Sequence, residues 1–167
     1  VISQSTSSAA LGEAAVSLAQ TASSIQLSWT APSVSTGVAA SGYRVYDVTS
    51  GVDSGVLVYD GAGSVELETT LSGLESGRLY SYVVSALSDA GEGDVSGSVS
   101  VSTAPGVVTD VASTHQTSSS IELEWVAPEV TTGSAVSGYK VYTREVHELS
   151  AVSEMFESGG VSEEVLE

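Results

Sequence analysis

Apolar and polar side chains alternate one by one in several short runs of this chain. Gln26 and Ser28 separate Ile25, Leu27 and Trp29; Arg44 separates Tyr43 and Val45; Ser81, Val83 and Ser85 separate Tyr80, Tyr82, Val84 and Ala86. A period of two is that of a pleated strand with one face on a core and the other in water. Apolar spacing at the helical period never persists over a useful length, and Gly, Ser and Asp punctuate the runs. Strands are predicted at 14–19, 25–30, 43–48, 56–59, 65–71, 80–87 and 98–103. Leu67 and Leu71 should face inward; Arg44, Tyr46, Ser81, Val83 and Ser85 should face outward. Pro32 should end the second strand, because proline gives no N–H to a ladder and restricts the residue before it.

The pattern then returns. Trp125 stands 96 residues after Trp29, with Ile121 and Leu123 before it, Pro128 after it, and Tyr139 and Val141 in the places of Tyr43 and Val45. The inward positions are kept, while outward Gln26 and Ser28 become Glu122 and Glu124. Substitution confined to the polar face implies that the apolar face is core in both copies.

The series Leu-x-Trp-x-x-Pro at 27–32, Gly-Tyr-x-Val-Tyr at 42–46, Leu74 to Tyr80 with Gly77 between, and Ala86 to Gly93 resembles the fibronectin type III domain at essentially every signature position. The resemblance covers about residues 8–104. It implies an all-β fold, an immunoglobulin-like antiparallel β-sandwich with strands A, B and E in one sheet and C, C′, F and G in the other. It also implies a corner at which the Tyr80 hydroxyl returns to the backbone near Leu74. The family usually places proline before the corner glycine; here Ser76 stands there.

The domain organisation expected is a tandem array. Residues 1–6 read as the last strand of a preceding repeat, 7–104 as a complete domain, and 105–167 as the first half of a second, truncated domain comprising strands A to C′ and the start of E. A half-sandwich would leave Trp125, Tyr139 and the edge of its third strand uncovered. The chain is therefore expected to be a window cut from a longer array, as its first residue, valine rather than methionine, also suggests. Strands donated by neighbouring copies are the alternative.

Composition narrows the function. Acidic residues outnumber basic ones 21 to 4, for a net charge of −17, so nucleic acid and anionic membrane surfaces would be repelled. The excess is even along the chain, with no separate acidic tail. Cysteine and asparagine are both absent, which excludes disulfides, thiolate metal sites and N-glycosylation acceptors. No run approaches the ~20 apolar residues of a membrane helix, and no signal-peptide pattern opens the chain.

Candidate chemistry is sparse. His115 and His147 lack a second ligand at metal spacing and read as surface residues. No Gly-x-Ser-x-Gly elbow is present, and residues 7–104 hold no histidine to serve as a base. Gly91 to Gly97 lacks phosphate-loop spacing and lysine and is predicted to be a hairpin turn. Its acids Asp89, Glu92 and Asp94 suit a hard cation in type but not in pattern, and solvated turn acids are the expectation. Tyr46, Tyr59 and Tyr142 are candidate outward tyrosines for a binding surface. No catalytic, cofactor-binding or metal-ligating residue is assigned, and no cofactor is expected.

The function expected is that of a non-enzymatic structural and interaction module, a spacer and protein-binding segment of a larger extracellular or cell-surface, filament-forming protein. Its partners would be other proteins or copies of itself, with a weak cation dependence. Alternatives are an accessory domain of a secreted carbohydrate-active enzyme, an adhesion or receptor ectodomain, and an intracellular cytoskeletal array.

Overall fold

Ile25, Leu27 and Trp29 are buried while Gln26 and Ser28 are not, so the alternation of the second strand is realised as written. The computed structural model describes residues 15–33 and 38–144. In chain order the strands are β1 (Val16–Gln20), β2 (Ser24–Ser28), β3 (Gly42–Asp47), β4 (Val56–Ala62), β5 (Glu68–Ser72), β6 (Leu79–Ser88), β7 (Gly91–Val95), β8 (Val99–Ser102), β9 (Thr109–Gln116) and β10 (Ile121–Val126). A 3-10 turn, Val52–Ser54, precedes β4.

Two antiparallel sheets face each other. One has the order β1-β2-β5; the other runs β4-β3-β6-β7, with β8 also pairing β6. Each sheet has one apolar face, and the two faces together enclose Ile25, Leu27, Tyr43, Val45, Tyr82 and Val84, with Leu74 and Tyr59 packed at the margin. Trp29 lies just past the end of β2. Its backbone N–H donates to the Leu67 carbonyl at 2.9 Å, and its ring tilts against Tyr43 and Tyr59, with centroids 5.7 and 6.3 Å away.

The corner before β6 has the predicted bond: the Glu75 N–H donates to the Tyr80 hydroxyl at 2.9 Å. Gly77 turns the chain with φ +62, a left-handed value that glycine adopts without a Cβ penalty.

Three local expectations are corrected. Leu67 is 39% exposed and precedes β5, because the strand pairs with β2 only from Glu68 onward; Leu71 alone of the two is buried. Val83 and Ser85, expected on the outer face of β6, are buried. The hairpin folds β7 back along β6, and Ser85 sits under the Glu92 carboxylate of that strand. Gly91 to Gly97, expected as a hairpin turn, carries the strand β7 over Gly91–Val95, whereas β8 falls within the expected 98–103. Between the two, the Ser96 N–H donates to the Val84 carbonyl and the Val84 N–H donates to the Ser96 hydroxyl.

By compactness the chain divides after Val136, giving one unit through that residue and another from Ser137. Within the first unit β9 and β10 form a separate two-stranded antiparallel sheet whose apolar residues Val111, Ile121 and Val126 are exposed. In the second unit the described residues 137–144 carry no strand, although their sequence repeats β3. The physical reason is that β3 is a central strand held on both sides by β4 and β6. No counterpart of β6 is among the described residues, and residues 152–158, which correspond to β4, lie outside them.

The packing of Trp29 predicts the cost of removing it. Trp29→Ala should lower unfolding free energy by about 3 to 5 kcal/mol, read from urea denaturation followed by circular dichroism. A loss below about 1 kcal/mol, the scale of an ordinary surface change, would contradict the central role given to this ring.

Candidate functional site

Outward positions of β3 and β7 meet on the face of the larger sheet. Arg44 and Tyr46 are alternate residues of β3 and so share that face, and β7 brings Glu92 across to them. The Arg44 guanidinium spans two acids: Nε reaches Asp60 Oδ1 at 3.2 Å and Nη1 reaches Glu92 Oε2 at 2.8 Å. The Tyr46 hydroxyl donates to Glu92 Oε1 at 2.6 Å, and the Ser85 hydroxyl donates to the same oxygen.

Burial alone would raise the Glu92 carboxyl, but hydrogen bonds from Ser85, Tyr46 and Arg44 outweigh it and hold it below the ordinary glutamate value. Asp60 is lowered chiefly by its bonds from Arg44, then by the Ala62 N–H. Burial, followed by the bond to Glu92, pushes the Tyr46 phenol up. The network pins the hairpin to the sheet and holds both carboxylates ionised.

The candidate acids of the hairpin are therefore not equivalent. Glu92 lies on a strand rather than in a loop, and both its oxygens are engaged; Asp89 and Asp94 are exposed. Among the described residues no group of three or more His, Cys, Asp or Glu side chains is placed to hold a metal ion. His115 is an exposed residue of β9, and His147 lies outside the described residues. Of the candidate tyrosines, Tyr142 is 84% exposed, Tyr46 is half-buried in the network, and Tyr59 packs inward on Trp29. The bulge between Val45 and Tyr46 sets Tyr59 opposite inward-facing Val45, which strand alternation alone could not reveal.

Two concave features flank the network. A groove of about 370 Å3 on the outer face is formed by Tyr46, Val48, Val52, Val83, Glu92 and Val95. It offers an apolar floor with a fixed carboxylate at its rim. A cleft of about 320 Å3 opens between β4 and β5 beside Asp47, Tyr59, Thr70, Leu71 and Tyr82. Burial raises the Tyr82 phenol, and its hydroxyl has no hydrogen-bond partner.

The end of the sandwich forms a third surface. The Gly77 carbonyl accepts the N–H groups of Thr131 and Gly133 at 3.2 and 2.9 Å, and the Leu79 N–H donates to the Thr132 hydroxyl at 3.1 Å. Sequence reading singled out Gly77 as a turn glycine but gave no sign of these contacts, since they join residues more than fifty positions apart.

Comparison with known proteins agrees with the architecture. Residues 11–102 match the family model described as Fibronectin type III domain. Over 132 residues the chain is 36% identical to Chitinase A1 of Niallia circulans, covering 73% of this chain and 17% of that protein. Among solved structures, the 6th fibronectin type III domain from human fibronectin type III domain containing protein 3 is 24% identical, with a TM-score of 0.50, over 64% of this chain and 93% of that one. The fibronectin type-III domain of the same human protein gives 21% identity and a TM-score of 0.53, over 62% and 94%. These structures share the fold.

The lowered carboxyls set the direction of the acid response. A group whose folded pKa is depressed stabilises the fold above its unfolded value, near 4.3 for glutamate, and that stability is lost as pH falls through the folded value. Thermal melting should accordingly drop as pH is taken from 5 toward 2. Glu92→Gln should flatten that slope while costing about 1 to 2 kcal/mol at neutral pH. An identical pH profile in the variant would show that the network does not couple to folding.

Proposed function

Because this chain belongs to the fibronectin type III family, we propose that it is a non-enzymatic spacer and protein-binding segment of a larger extracellular or cell-surface protein built from such repeats. The observation that carries this reading is the tied passage out of the sandwich. Immediately after β8, the Ala104 N–H donates to the Thr21 carbonyl at 2.9 Å, and the Ala104 carbonyl accepts the Gly77 N–H at 3.0 Å. Pro105 and Gly106 follow, and β9 begins at Thr109. A short connection bonded to the domain it leaves transmits position, as a spacer must. The outer groove beside Tyr46 and Glu92 supplies an apolar patch with a polar rim, the composition of a protein contact surface. Its partners are other proteins or further copies of the chain. With a net charge of −17, close packing of copies requires salt or divalent cations to screen repulsion.

A second reading is favoured by the 36% identity to a chitinase: an accessory segment of a secreted carbohydrate-active enzyme. The chain spans 17% of the length of that relative, so the relative's activity is not assigned to it.

The two readings separate experimentally. Incubated with chromogenic chitin oligomers and with insoluble chitin, the full chain should neither release chromophore nor sediment with the polymer. Turnover would overturn the non-enzymatic reading, and retention would favour the accessory role. In sedimentation velocity, self-association should increase with sodium chloride or calcium; association indifferent to both would refute the packing of copies.

A further inference from the structure

We infer that the corner around Gly77 is a receiving site for the loop of the following repeat, residues 128–133, and that it locks the two repeats at one angle. Adjacent domains joined by a short linker ordinarily move relative to each other unless their interface opposes it. Here three backbone N–H groups and one carbonyl are engaged across the contact. Gly77 accepts from Thr131 and Gly133, and Leu79 donates to Thr132. The receiving carbonyl is itself held in place: the Gly77 N–H is bonded to Ala104, and the Thr103 hydroxyl donates to the Glu75 carbonyl at 2.7 Å.

The approach is too close for any side chain at the two glycines. A Cβ on Gly133 would lie 2.6 Å from the carbonyl carbon and oxygen of Gly77, and one on Gly77 would lie 2.9 Å from the Glu129 oxygen. A Cβ on Gly106 would lie 2.9 Å from the Ser76 hydroxyl oxygen. Ser76, which stands where the family usually has proline, thus faces the connection to the next repeat. Three glycines from the corner, the connection and the loop meet in one place. The order Pro-x-Val, then Ser or Thr, then Thr-Gly stands at 32–37 as well as at 128–133. Its recurrence makes the docking sequence a property of the repeat.

This inference rests on the array reading in treating residues 107–136 as the start of a second repeat. Its test reports on geometry alone. The chain has no cysteine, so Asp89→Cys and Ser118→Cys in the full chain take spin labels uniquely, one on each side of the junction. Pulsed dipolar spectroscopy should give a narrow distance distribution. Gly133→Val should broaden it at least about twofold, because the docked geometry is sterically closed to it. Thr132→Ala creates no clash and removes one hydrogen bond; it should speed exchange of the Leu79 amide roughly three- to tenfold. Circular dichroism checks that the first sandwich stays folded in both variants. A broad distribution in the parent, or a distribution as narrow in Gly133→Val as in the parent, would overturn the locked junction. Neither result bears on chitin turnover or retention, so failure of the lock is distinguishable from failure of the spacer reading.

Discussion

Neither sheet of this sandwich has a core of its own, and the contact that joins them is centred on Trp29. The residue belongs to the β1-β2-β5 side by sequence and backbone bonding, yet its ring packs on Tyr43 of β3 and Tyr59 of β4, both of the other sheet. Burying an indole contributes roughly 4 to 6 kcal/mol by area, an upper figure. Its N–H is buried without a partner, which costs about 1 to 3 kcal/mol. The packing term exceeds the polar one, so an unsatisfied donor at the centre is tolerated. In the second copy of the pattern Ile121 is 67% exposed, and among the described residues no second sheet faces β9 and β10.

The corner before β6 combines two tasks. The Tyr80 hydroxyl closes it from within by accepting from Glu75, and Gly77 leaves its outer surface bare. Backbone alone is then presented at the end of the domain, where a carbonyl and an N–H are accessible to another loop. A turn glycine chosen for its positive φ thereby also permits close approach by a neighbour.

On the larger sheet the scarcity of basic residues concentrates electrostatics at one place. Arg44 bridges Asp60 on β4 and Glu92 on β7, so one side chain spans the strands on either side of the sheet's middle. Both pairs are partly exposed and individually weak. Their effect comes from convergence with Tyr46 and Ser85 on a single carboxylate, where mutual hydrogen bonding holds the hairpin in register.

Most strands of the sandwich and the core residues Ile25, Leu27, Trp29, Tyr43 and Val45 were legible in the sequence from alternation at period two, whereas the sheet each strand belongs to followed from the resemblance to the fibronectin type III domain. The tyrosine corner was legible from residues within a few positions of one another. What the tertiary structure decided lies elsewhere. Ser85 is buried beneath the Glu92 carboxylate that the neighbouring β7 supplies, and Val83 lies at the floor of the groove formed with Tyr46, Val48, Val52 and Val95. Leu67 is exposed because pairing with β2 begins one residue later, and Tyr59 turns inward because a bulge shifts the β3–β4 register. The acid that sequence placed in a turn lies on a strand beside Arg44, and Gly77 meets Gly133 across more than fifty residues. Periodicity determines which face of a strand is apolar, because that depends on the strand alone. Which neighbour covers the other face, and which distant loop reaches a bare carbonyl, depends on pairing register and chain crossing, and these exist only once the sheets have assembled.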